Sequence, residues 1–192
     1  MLQNQSPWPK IALGVAICQL AGVLGGLLSM SGIREWYPAL QKPTWTPPDA
    51  VFAPVWTILY AMMGVALGLI WAKGLVSSRE KRAFAWFWGQ LALNVLWSAV
   101  FFGFRSPAWG YVVILLLWLA LAATMWLFSK ISRASALWLA PCLAWVTFAS
   151  MLNFGILSLN VVKPGVQRMD ADPRNGPVDP NRRAPVLKNE GK

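Results

Sequence analysis

A chain of 192 residues that is 57% hydrophobic and 12% charged, with 13 tryptophans, does not have the composition of a soluble domain. Its 17 Lys and Arg against 7 Asp and Glu give a net charge of +10 with no histidine at all. That basic excess sits in loops beside apolar runs, where the partner it implies is anionic membrane lipid, and no nucleic-acid-binding fold has room there.

The charges mark where the apolar runs stop. Lys10 and Arg34 bracket 23 uncharged residues, and Asp49 and Lys73 bracket another 23. Arg82 to Arg105 encloses 22, Arg105 to Lys130 encloses 24, and Arg133 to Lys163 encloses 29. A membrane-spanning helix needs ~20 predominantly apolar residues, so every run is long enough. The prediction is an all-α membrane protein, a five-transmembrane-helix bundle over residues 1–162. A polar tail over 163–192, rich in Pro, Gly, Asn and charges of both signs, is predicted to be disordered. The first run is too long for the ~7–15-residue core of a cleavable signal peptide. Cys18 and Cys142 both fall inside spans, which makes them packing residues rather than a disulfide framework.

The first span, about 10–32, carries Gly14, Cys18, Gly22 and Gly26 at a stride of four. Such a small-residue stripe lets another helix approach closely, within the bundle or across a dimer. Next comes WYPALQKPTWTPPDAVFAPVWTILY, residues 36–60, with five prolines and three tryptophans. Proline fixes φ and pushes the residue before it towards extended backbone, so Lys42 to Pro48 cannot be helical. The stretch reads as a stiff lid formed by Trp36, Lys42, Pro43, Trp45 and Pro48. It runs into a second span, about 50–72, where Trp56, Tyr60, Met63, Leu67 and Trp71 share one face and Gly64 and Gly68 form a small pair.

The third span, about 83–104, places Gln90, Asn94, Trp97, Ser98 and Phe101 on one face. Bare amides in hydrocarbon are costly, so this face must point into the bundle or a cavity. The short link Arg105-Ser106-Pro107 makes spans three and four antiparallel neighbours. Span four, about 108–128, is a packing helix. Span five, about 134–162, has Pro141, where a kink is expected, and then Trp145, Ala149, Asn153 and Asn160 close to one stripe. Asn153 and Asn160 suit helix–helix glue as well as a ligand. Trp8, Trp71, Trp86, Trp88, Trp109 and Trp126 fit an interfacial belt. Lys10 and the second and fourth loops carry seven Lys and Arg against three in the first and third, with seven more in the tail on that second side; weighted to short loops, the rule places the N-terminus in the cytoplasm.

All seven acidic residues lie outside the spans. Without His or an intramembrane carboxylate, neither a metal site nor general acid–base catalysis nor proton-coupled pumping is expected. What remains is a pocket chemistry of rings, amides and hydroxyls. Trp56, Trp97 and Trp145 offer stacking faces, and Asn94 and Ser98 offer hydrogen bonds. This suits a large, flat, mostly apolar molecule.

The segments WYPALQKPTWTPPDAVFAPVWTILYAMMG, QLALNVLWSAVFF and PCLAWVTFASMLN together resemble the translocator protein family. Its bacterial members are the tryptophan-rich sensory proteins (TspO), and its animal members the peripheral benzodiazepine receptors. The resemblance spans roughly residues 10–160. It implies a five-helix bundle, often a homodimer, in a bacterial membrane, with a cavity beneath the first loop that takes porphyrins such as protoporphyrin IX or haem and needs no other cofactor. Carried over by motif position, the ligand-binding residues are Tyr37, Pro47, Trp56, Tyr60, Asn94, Trp97, Ser98, Trp145 and Ala149. The resemblance also implies a photochemical role in porphyrin breakdown for Trp56 and Trp145. Two departures stand out. Cys142 replaces the tyrosine that usually follows the proline of helix five, and no tyrosine follows Tyr111, which removes the usual cholesterol-recognition pattern. The function expected is a porphyrin-binding sensor or regulator. The alternatives are a transporter of hydrophobic molecules or a photo-oxidative porphyrin-degrading protein.

Overall fold

In the computed structural model of the chain, residues 6–161 are described; the predicted polar tail from Lys163 lies outside them. The described residues form five helices and no strand: α1 (Trp8–Ser31), α2 (Phe52–Ala72), α3 (Ser78–Ser98), α4 (Pro107–Ser129) and α5 (Arg133–Asn160). All five helical segments are long and apolar enough to cross a membrane.

The α1–α2 seam follows directly from small residues. Gly14 lies against the backbone of Gly64 and Gly68, Gly64 against Gly14 and Val15, and Gly68 against Lys10 and Ile11. A Cβ on Gly64 would stand 2.6 Å from Val15 N, and one on Gly68 would stand 2.7 Å from Ile11 N. With nothing but backbone on both sides, only hydrogen fits. The stripe on α1 therefore serves packing inside the bundle along its first half. Its last member, Gly26, meets no atom within 4 Å and lies open.

Two boundaries differ from the sequence reading. α3 begins at Ser78 rather than about 83, because Ser77 and Glu80 form a capping box in which the Glu80 carboxylate accepts from Ser77 N. That signature satisfies helix-end donors and carries the helix through Arg79, Lys81 and Arg82. α1 does not stop near residue 32 either. It continues through a π turn, Gly32–Trp36, and a 3₁₀ turn, Tyr37–Ala39. The charges there are accommodated because Glu35 pairs with Arg105 at 2.7 Å. A second π turn, Ala99–Gly103, ends α3 beside the first, with Gly32 pressed on the Phe102 backbone and Gly103 on Leu28 O.

Arg105 turns the chain with φ of +54°, and Ser106 caps α4 by accepting from Trp109 N. α5 runs unbroken through Pro141. Met63, Leu67, Phe87, Leu117, Leu121, Phe128, Leu139 and Val146 form the fully buried core, with Phe87 and Phe128 stacked at 5.9 Å. Both asparagines of α5 act as glue. Asn153 Nδ2 donates to Pro107 O at 2.9 Å while its Oδ1 accepts from Trp97 Nε1. Asn160 Nδ2 donates to Gln41 O at 2.8 Å and its Oδ1 accepts from Gln41 N, so it clamps the first loop to the end of α5. The tryptophans of the predicted belt are exposed at Trp8, Trp86, Trp88, Trp109 and Trp126, and half-buried at Trp71.

Candidate ligand cavity

A cavity of about 360 Å³ opens between α1, α2 and the end of α3. This falls in the ~300–1,000 Å³ range of small-molecule sites. Its back wall is aromatic and continuous. Tyr37 meets Phe102 at 5.4 Å, Phe102 meets Trp97 at 5.9 Å, Trp97 meets Trp56 at 5.9 Å, and Trp56 meets Tyr60 at 5.8 Å. The last two pairs are tilted by 36° and 37°, which leaves two indole faces side by side. The two π turns place this wall. They bring Tyr37 from the end of α1 and Phe102 from the end of α3 into edge contact, a local geometry that an ordinary α-helical register would not supply.

Polar groups are few and set by the helices. Tyr60 OH donates to Asn94 Oδ1 at 2.9 Å. Both are buried, and Asn94 Nδ2 has no partner among the described residues. Ser98 lines the cavity, and its carbonyl accepts from Ser29 Oγ at 3.1 Å. Gln19 Nε2 reaches across the α1–α2 gap to Thr57 O at 2.9 Å. Asp49 stands where the first loop meets α2, on the cavity lining. Val23, Gly26, Ala53 and Thr57 line the cavity yet are exposed, so it opens on the flank between α1 and α2.

Of the residues singled out from the sequence, Tyr37, Trp56, Tyr60, Trp97 and Ser98 are brought together on this cavity. Asn94 stands one layer behind, reached through the Tyr60 hydroxyl. Pro47, Trp145 and Ala149 are not on the lining. Trp145 meets the lining residue Phe52 edge-on at 5.9 Å and Phe148 at 5.3 Å. The five lid residues lean elsewhere. Trp36 packs on Phe101, and Lys42 sets its Nζ 4.5 Å over the Tyr37 ring. Pro43 and Trp45 lie against Gly155 of α5, and Trp45 also meets Phe148 at 5.8 Å, bordering an outer groove between α4 and α5. Pro48 precedes the 3₁₀ turn Asp49–Val51 that leads into α2. The face contributed by α1, from Gln19 to Ile33, was missed. Its signal was the glycine stripe: Gly22 lies under the Tyr60 ring, where a Cβ would be 2.6 Å from ring carbon, and Gly26 leaves the space empty.

The model of the TspO/MBR family matches residues 14–159. The chain belongs to the TspO/MBR family. It is 43% identical over 150 residues to the tryptophan-rich protein TspO of Chlorobaculum tepidum, covering 78% of this chain and 95% of that one. It is 37% identical over 157 residues to the tryptophan-rich sensory protein of Cereibacter sphaeroides, covering 82% and 95%. With the translocator protein of Bos taurus it shares 36% over 164 residues, covering 85% and 97%. Family membership and five span-length helices make this TspO/MBR protein a multi-pass integral membrane protein.

Proposed function

We propose that this protein binds a flat, mostly apolar tetrapyrrole, protoporphyrin IX or haem, and acts as a sensor or regulator of it in the membrane. The observation that carries the reading is the unbroken aromatic wall Tyr37–Phe102–Trp97–Trp56–Tyr60 along an open cavity. Adjacent indole faces favour a planar π-system by offset stacking, worth ~0.5–1.5 kcal/mol per ring beyond area burial. Ser98 and the lone pairs of the Tyr60 hydroxyl supply the few polar contacts that orient such a ligand. The flank opening suits a ligand dissolved in the bilayer. Relatives named sensory protein and translocator protein agree with a role in recognition or passage of a small molecule.

This reading places the stacking on Trp56 and Trp97, because both line the cavity while Trp145, in edge contact with the lining residue Phe52, does not. The test is titration of the purified protein with protoporphyrin IX, following quenching of tryptophan fluorescence. Trp56→Phe and Trp97→Phe should each weaken binding severalfold. Unchanged affinity in the double variant would remove the assignment.

A further inference from the structure

At the opposite end of the bundle from the first loop, the α2–α3 and α4–α5 loops enclose an open cleft of about 710 Å³. It is lined by Lys73, Arg79, Arg82 and Lys130, with Ser77 and Glu80 between them. The one carboxylate is already engaged, since Glu80 accepts from Ser77 N in the capping box. Among the described residues the one ion pair is Arg105–Glu35, so none of the four cations has a carboxylate within 4 Å. The cleft also holds the N-terminus of α3, a helix of 21 residues, where backbone N–H groups and the helix dipole favour an anion. Exposed Trp86, Trp88 and Trp126, within two to three helical turns of these loops, mark the level of the membrane interface. Four cations, a helix N-terminus and the headgroup level converge on one place.

We infer that this cleft is a binding site for the phosphate headgroup of an anionic phospholipid. Planar guanidiniums of Arg79 and Arg82 suit bidentate contact with phosphate oxygens, while Lys73 and Lys130 act as point charges from either side. The acyl chains would lie along the apolar flank below. A free soluble phosphate shares the headgroup chemistry but lacks this apolar contact.

The experiment measures unfolding temperature of the full chain in neutral detergent as dioleoylphosphatidylglycerol is added, with dioleoylphosphatidylcholine and inorganic phosphate as separate arms. Phosphatidylglycerol should raise the unfolding temperature saturably, with phosphatidylcholine and phosphate near baseline. Each removed cation should raise the half-saturating concentration about fivefold. The variants are Arg79→Gln and Arg82→Gln, with Arg34→Gln at the other end as the charge-matched control. Arg79 is exposed in the first turn of α3, so its variant keeps the test intact should Arg82→Gln fail to fold. Equal shifts with both lipids, or an unchanged half-saturation in Arg79→Gln, would overturn the site. An inorganic-phosphate shift matching that of the lipid would replace the lipid by a soluble phosphate and overturn the proposal as stated.

Discussion

Gly64→Ala and Gly26→Ala make the same chemical change on two helices, yet the structure assigns them opposite consequences. At Gly64 the new methyl would stand 2.6 Å from Val15 N and 2.7 Å from Gly14 O, and nearer still to Val15 Cα. Unstrained contacts need about 3.5–4.0 Å, so α1 and α2 must part by roughly 1 Å. All three obstructing atoms are backbone, and no side chain can swing aside. Overpacking of this kind costs ~1–3 kcal/mol, and a gap of that size forfeits about a quarter to a half of each van der Waals contact along the seam. At Gly26 the methyl meets nothing within 4 Å, and alanine restrains the backbone better than glycine by ~0.5–1 kcal/mol. That gain applies equally at Gly64, which is also inside a helix, so it cancels and the pair should differ by the overpacking cost of about 1–3 kcal/mol. Unfolding of each purified variant by titration with sodium dodecyl sulfate, followed by circular dichroism, measures this. Equal destabilisation of the two variants would refute the close-packed seam and the open cavity together.

Tyr60→Phe removes the donor to Asn94 Oδ1 and leaves a buried amide with both ends unmatched, so it should cost ~1–3 kcal/mol in the same titration. The loss should shrink in Tyr60→Phe combined with Asn94→Leu, where no polar group is stranded; an undiminished loss would point to packing instead. Asn160→Ala breaks both hydrogen bonds to the Gln41 backbone and should speed limited proteolysis between Gln41 and Trp45 severalfold, with helix content unchanged. A cleavage rate equal to that of the parent would mean that Pro43 and Trp45 hold the loop on α5 unaided.

Much of the architecture was legible because the charges are few. Runs between Lys10, Arg34, Asp49, Lys73, Arg82, Arg105, Lys130 and Arg133 outline the spans. The amide face of α3 was legible because burial of Gln90 and Asn94 in a membrane protein has to be inward. The missed start of α3 shows the limit of that reasoning: charges at Arg79, Lys81 and Arg82 look like a loop, while the Ser77–Glu80 capping box makes them the first helical turns. The extension of α1 past Arg34 was hidden because its stabilising partner, Arg105, is 70 residues away from Glu35.

The candidate site was less legible. Aromatic type and spacing located Trp56, Tyr60 and Trp97, but spacing along one helix cannot say which ring on another element intervenes. Here Phe52 is on the lining, and Trp145 reaches only its ring edge. Nor does a proline-rich loop announce which helix it rests on; the clamp by Asn160 decides that Pro43 and Trp45 lean on α5.

The most direct test of the cavity as a tetrapyrrole site is the Soret-band titration of protoporphyrin IX against Gly26→Leu and Trp145→Phe side by side. A leucine at Gly26 fills open cavity space without touching the seam, and the ligand loses apolar burial worth ~1.5–3 kcal/mol, or roughly 10–150-fold in affinity. Trp145→Phe, at a residue off the cavity lining, should leave the affinity unchanged. Unaltered binding in Gly26→Leu together with lost binding in Trp145→Phe would contradict the account.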